Sequence, residues 1–472
     1  MKRFLSLLLC LSVICAVFGA CTNSPSSAGN SPGNFPQTNS PDGSVDVSGT
    51  ATGDEKVIHL LTDMGHNAMR TYGTYDQLNA QFVMDQFLAD AGGLPEGYKL
   101  EVEVMPVEET EFQIRLTRLR TEIMSGMGPD LYVLSSTDAA PYYRQERLFP
   151  NTKKAMEDGY FLRLDDYMES ARFMEFEDMN PTVMDAGCTP EGRFVLPLRY
   201  TFGAARALEP VTDTGASWFD AVNGTDEVLA DSYALAASWL FYEIFPETVD
   251  TESKTLTFSE EELYDSVAMA LKWFGSDPEH FPKDDTIECL YLDGTDGFVE
   301  GGNFVEGDSW DPRLKDVATY IPLRNTEGGV SATVTGYIAI NRNTAYPEEA
   351  FYVADVMMSK KFQSGQRLWE KGYSSYRSSI AVFVWSRGVS VYDDFLQEST
   401  PMNYENYINA EMYPVYCELR DKITDVRVMN HVDQALYDLY DYAERNRMTP
   451  GDELKKYVKQ EYNKMVLMAG EL

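Results

Sequence analysis

Histidine is scarce in this chain: four residues among 472, at positions 59, 66, 280 and 431, with no His-x-x-x-His pair. Cysteine is nearly as scarce, and three of the six (Cys10, Cys15, Cys21) crowd the N-terminus. The others, Cys188, Cys289 and Cys417, are odd in number and widely spaced. That pattern excludes a disulfide framework and a Cys-based zinc site, so no metal or cofactor is expected. Cations are few, with 39 Lys and Arg against 75 Asp and Glu, a net charge of −36. Phosphates would be repelled, so nucleic acid is not an expected partner. No Walker, Gly-x-Ser-x-Gly or His-Glu-x-x-His pattern occurs. No catalytic residue is assigned on this basis.

Long apolar runs are also missing, apart from Phe4 to Phe18. That run follows Lys2-Arg3 and leads to Gly19-Ala20-Cys21, the layout of a signal peptide over residues 1–20. It is too short for a comfortable membrane span, which needs ~20 residues. Residues 21–54 are rich in Ser, Pro, Gly, Asn and Thr without apolar periodicity. Such a segment cannot bury enough surface to fold and is expected to be a tether.

From about Glu55 the composition becomes globular, and the remaining length calls for two lobes. Strands are expected at Val57–Leu61 and across Leu100, Val102 and Val104, with a helix over Asp76–Asp90 between them. A second helix carries Phe112, Leu116, Leu119 and Ile123 on one face, with Arg115, Arg118, Arg120 and Glu122 opposite. Gly126 and Gly128 can end it in the left-handed conformation, and Pro129 cannot continue it. Leu131–Leu134 then reads as a buried strand. The order β-α-β-α-β predicts a mostly parallel sheet. Ser136, Thr137 and Asp138 lie at one strand's C-terminal end and Asp63 at another, where open α/β sheets place ligands. The loop Thr62–Asn67 lacks Gly-x-Gly-x-x-Gly, so a dinucleotide site has no support.

Further on, Phe194–Leu198 reads as an apolar strand, and Tyr233–Phe245 as an aromatic-rich helix. A helix over Glu260–Phe274 follows Ser259, an N-cap candidate. Asp293–Gly297 does not match a calcium loop. A strand is expected over Gly336–Asn341, then a helix opened by Pro347 with Glu348 and Glu349. Val428, Val432, Leu436, Leu439 and Ala443 form a helical stripe. Thr449-Pro450-Gly451-Asp452 reads as a capping box opening the last helix. Asp165-Asp166 is read as a helix start rather than a catalytic pair.

The run Glu122, Gly126, Gly128, Pro129, Asp130, Leu131 resembles the extracellular solute-binding proteins of ABC importers, in the carbohydrate-binding branch that includes maltose-binding protein. The Pro347-Glu-Glu-Ala helix and the final helix pair agree with it in order. Gly19-Ala20-Cys21 resembles a lipobox, with Phe18 departing from its usual smaller residue. The resemblance implies an α/β, two-lobed periplasmic-binding-protein-like fold with a hinge and an interlobe cleft. It implies an N-terminal lobe of 55–200 and 317–360 and a C-terminal lobe of 201–316 and 361–472. Crossings are then expected near Leu198–Phe202, Asp316–Tyr320 and Met358–Phe362. It also implies a monomeric, non-catalytic protein, lipid-anchored through Cys21 on the extracellular face of the cell membrane. The protein would capture a carbohydrate, an oligosaccharide first of all, and deliver it to permease subunits. Hydroxyl partners are expected from Asp63, Ser136, Thr137 and Asp138, and stacking from Tyr142, Tyr200 and Trp310. A cell-surface glycoside hydrolase, which needs two spaced carboxylates, or a binding lipoprotein outside transport are the alternatives.

Overall fold

The computed structural model describes residues 55–63, 77–106, 108–136, 147–207, 212–224, 229–230, 233, 241–275, 287–291, 319–364, 389–392 and 413–470. The chain divides into Met1–Thr52 and Gly53–Leu472. The first unit, which includes Cys21 and the expected leader, lies outside the described residues, as does Asp293–Gly297.

The sheet begins as the sequence predicts. Strand β1 (Lys56–Thr62) is followed by helix α1 (Gln77–Asp90), strand β2 (Tyr98–Val104), helix α2 (Glu109–Met124) and strand β3 (Leu131–Ser135). β1 pairs in parallel with both β2 and β3. Phe112, Leu116 and Leu119 bury the inner stripe of α2. On its outer side Arg115 donates to Glu103 Oε2 at 2.7 Å and to Glu122 Oε2 at 3.1 Å.

The Gly-x-Gly-Pro-Asp turn is a structural pin. Gly126 and Gly128 take φ of 78° and 113°, and a Cβ on Gly128 would sit 3.2 Å from Ile123 Cγ1. Asp130 Oδ2 accepts the His59 N–H of β1 at 2.8 Å, and Oδ1 accepts the Thr344 hydroxyl at 2.6 Å. Asn341 donates from Nδ2 to the Pro129 carbonyl at 2.9 Å.

Two long strands then cross the molecule: β4 (Val195–Ala207) and β7 (Val330–Ile340), with β5 (Ile287–Tyr291) and β6 (Thr319–Pro322) between them in sequence. Among the described residues the sheet has nine strands, ordered β6-β4-β7-β3-β1-β2 along its main path. β7 runs antiparallel to both β3 and β4, so the sheet is mixed. Three additions complete it: β5 antiparallel to the end of β4, β8 (Val389–Ser390) beside β4, and β9 (Ile423–Val428) parallel to β7.

Both long strands exceed their sequence expectations. β4 continues past Pro197 and Leu198, and β7 starts six residues before Gly336. The added stretches carry a polar face that is buried. Tyr200 and Phe202 point into the first core, while Arg199 and Thr201 alternate with them and are also buried. On β7, Ser331, Thr333 and Thr335 are buried in the same alternation. Such alternation is itself a strand signal, but it predicts a solvated polar face, and here that face is buried as well.

Helix α3 (Glu260–Gly275) starts after Ser259, whose hydroxyl accepts the Glu262 N–H at 3.2 Å while Glu262 Oε2 accepts the Ser259 N–H at 2.7 Å. Helix α4 (Pro347–Met358) has Pro at its start and Glu348 and Glu349 in its first turn. The final pair is α5 (His431–Arg445) and α6 (Asp452–Gly470). Two boundaries differ from expectation. Val428 belongs to β9, not to the helical stripe. The capping box is Asn430 with Asp433 at the start of α5. At α6 the Gly451 carbonyl accepts the Lys455 N–H at 2.9 Å, so the helix begins beyond Pro450.

The buried side chains form two separate cores. One surrounds β1, β3, β4, β7 and α4, and includes Phe362, Tyr392, Leu419 and Val428. The other gathers Trp218, Phe241, Ile244, Leu263, Val267, Ile321 and Leu323 with the inner faces of α5 and α6.

Candidate functional site

Strands β3 and β9 approach each other head-on along β7. β3 pairs with β7 from Ile340 back to Gly336, and β9 pairs with it from Val330 forward to Val334. Their carboxyl ends therefore meet beside Thr335, a change of strand order of the kind that opens a crevice in α/β sheets. Ser136 closes β3 onto this point. Its N–H donates to the Thr335 carbonyl at 3.0 Å, and its hydroxyl donates to the Val334 carbonyl. Asp63, just past β1, accepts the Ser135 N–H at 2.7 Å.

Polar side chains from other elements converge here. Asn430 caps α5 two residues after β9 and forms an isolated bridge with Asn151. Thr152 donates to the Tyr337 hydroxyl at 3.2 Å. Arg147 reaches Gln434 Oε1 of α5 at 3.3 Å. Its backbone is fixed by Arg120 of α2, which donates to the Arg147 carbonyl at 2.6 Å. Burial pushes the Tyr337 phenol well above its ordinary value; Asp63 adds to this and Arg147 opposes it. Asp63, Arg147 and Tyr337 thus share one electrostatic neighbourhood, with Asp63, Arg147, Asn430 and Gln434 half-buried. These groups offer donors and acceptors that can pair with hydroxyls. Among the described residues no cluster of His, Cys, Asp or Glu is placed to hold a metal, and no helix is long and apolar enough to cross a membrane.

No protein-family model and no curated protein matches the sequence. Solved structures do match. An ABC substrate-binding protein from Listeria monocytogenes, in complex with cycloalternan, aligns at a TM-score of 0.50 and 12% identity, over 88% of this chain and 100% of that one. The chain has a periplasmic-binding-protein-like fold. A de novo designed cysteine esterase aligns at 0.50 and 10% identity, over 89% and 99% of the two chains. An extracellular solute-binding protein of family 1 from Alicyclobacillus acidocaldarius aligns at 0.47 and 12% identity, over 88% and 98%.

Within this fold, the residues singled out in the sequence fare differently. Asp63 lies at the β3–β9 junction and is bound to the β3 backbone. Ser136 lies there too, 1% exposed, with its hydroxyl turned into the sheet. Tyr200 is fully buried in the first core and stacks on Phe202 at 6.3 Å between ring centres, so its ring presents no face to a solute. Thr137, Asp138, Tyr142 and Trp310 lie outside the described residues. Sequence reasoning passed over Arg147, Thr152, Asn430 and Gln434. Only Asn430-x-x-Asp433 carried a local signal, as a capping pair; the rest meet through tertiary contacts.

A concavity lies elsewhere. A cavity of about 290 Å³ is bounded by Phe87, Ala91, Phe173 and Val356, with Asp90, Arg172 and Lys360 among its polar residues. Lys360 is held by Asp178 at 2.6 Å and by Glu175 at 2.9 Å.

Proposed function

We propose that this protein is a lipid-anchored extracellular solute-binding protein that captures a carbohydrate, an oligosaccharide, and delivers it to the permease of an ABC transporter. The observation that carries the reading is the fold match over the full length of the Listeria monocytogenes substrate-binding protein, whose structure holds the sugar cycloalternan. The hydroxyl-pairing groups at the β3–β9 junction support it, as does the N-terminal Lys-Arg, apolar run and Gly19-Ala20-Cys21.

Two hydrophobic cores support two lobes that close about a hinge. We place the first passage between Ala204 and Trp218 and the second between Leu323 and Val330. The third falls at Val428–Met429, because Phe362, Tyr392 and Leu419 still pack in the first core.

Calorimetry on linear and cyclic oligosaccharides, peptides and polyamines tests the ligand class. Saturable heat with a sugar and no turnover is expected. Binding to a non-sugar alone would overturn the ligand class, and sugar turnover would favour a glycoside hydrolase. For the anchor, wild-type protein is expected with membranes and Cys21→Ala released or unprocessed; a wholly soluble wild type would refute it.

A further inference from the structure

The 3₁₀ turn Phe241–Ile244 is the seat on which the second core meets the sheet of the first. Phe241 and Ile244 are buried in the second core. Glu243, between them, points the other way and accepts the hydroxyl of Thr333 on β7 at 3.0 Å. Arg427 of β9 grips the same turn, donating to the Tyr242 carbonyl at 2.7 Å and the Phe245 carbonyl at 2.8 Å. The register sets Thr201 of β4, Thr333 of β7 and Arg427 of β9 side by side in one row. Ser331 and Asp425 form the row beside it.

This seam holds unspent polar atoms. Glu243 is 2% exposed, and its Oε2 has no hydrogen-bond partner. Thr201 Oγ1, Asp425 Oδ1 and Arg427 Nε are likewise buried without one. A buried anion in such a place needs full pairing. The groups around it do not supply that. Arg427 is committed to the turn carbonyls and lies 3.6 Å from Asp433 of α5. Asp425 repels a second negative charge and is itself repelled by Glu327. From β4 the Gly203 N–H donates toward Glu243 and favours its ionised form, though by less than burial opposes it, and Arg199 lies buried two residues before Thr201 on the same side of the strand. A neutral acid fits this seam better, since it accepts from Thr333 and also brings a donor.

We propose that Glu243 is a proton-carrying bolt at the joint between the two cores, so that loosening the joint is linked to release of its proton. Burial, opposed by Arg427 and Thr333, pushes its carboxyl up to about 8. Exposed to water it would titrate near its ordinary value of 4.5. The folded joint therefore binds more protons than the open one between these values. Its tightness is full below pH 4.5 and is lost as pH rises toward 8.

Infrared spectroscopy of the whole protein with Glu243→Gln and Thr333→Val tests this. Wild type is expected to show a carboxylic-acid carbonyl band at pH 6 that converts to carboxylate near pH 8 and is missing in Glu243→Gln. Its melting temperature should fall between pH 5 and pH 8 relative to Glu243→Gln, whose amide mimics the neutral acid. Loss of the Thr333 hydroxyl should move the carbonyl titration upward, because that hydroxyl favours the ionised form. The Thr333→Val readout stands even if Glu243→Gln does not fold. No such band in wild type at pH 6, parallel melting profiles in wild type and Glu243→Gln, or a titration unmoved by Thr333→Val would each overturn the proposal.

Discussion

Asp213 sits between two cations brought from distant parts of the chain. Arg324 donates to it from Nε at 3.0 Å and from Nη2 at 2.8 Å, and Lys422 lies 3.2 Å away. Asp213 follows β4, Arg324 follows β6 and Lys422 precedes β9, so the cluster ties stretches next to the passages between the cores. Burial pushes the Asp213 carboxyl up, but Arg324, the Gly215 N–H and Lys422 outweigh it and hold the carboxyl at about 2, below its ordinary 3.8. The folded state thus binds fewer protons than the unfolded one, and the stabilisation is present above pH 3.8 and lost as pH falls toward 2. Asp213→Asn should lower the melting temperature at pH 7, with the gap to wild type narrowing as pH drops through that window. A gap unchanged down to pH 2 would contradict this. Asp130 offers a second case. Asp130→Ala leaves the His59 N–H and the Thr344 hydroxyl without their acceptor, and urea denaturation should show a loss of about 1–3 kcal/mol.

At the scale of elements, α5 depends on its cap. Asn430 accepts the Val432 N–H at 2.7 Å and the Asp433 N–H at 3.2 Å, and Asp433 returns the bond to the Asn430 N–H at 2.7 Å. Asn430→Ala should cost about 1 kcal/mol by denaturant titration; no measurable loss would argue against the cap. The strands show how legible the fold was. β1, β2 and β3 and the helices between them could be placed from local apolar pattern: the helices bury one stripe each, and β3 is a short apolar run buried on both faces. β4 and β7 could be placed only in part. Thr333 and Thr335 are buried against Glu243 and Ser136, which come from elsewhere in the chain. No window of local sequence contains those partners. The candidate site was legible to the same degree: Asp63 and Ser136 follow from strand ends, while Arg147 and Gln434 meet across 287 positions.

For the whole molecule, closure about the passages predicts a smaller radius of gyration by small-angle scattering once a confirmed sugar saturates the protein; an unchanged radius would count against lobe motion. Arg147→Ala should weaken that sugar about tenfold or more, the scale of one lost charged hydrogen bond, with calorimetry as the check and wild-type affinity as the refuting result. The sequence by itself determined the α/β class, the parallel start of the sheet, the Gly-Pro-Asp turn and the acidic character. Each of these depends on residues near one another or on a sum over all residues. Only the tertiary structure decided that Tyr200 belongs to the core, that β3 and β9 end face to face, and that Glu243 lies buried against Thr333. Burial and pairing depend on which distant segments pack together. A tyrosine, a serine or a glutamate has the same side chain in the core as at a crevice, and only its neighbours in space decide what it does.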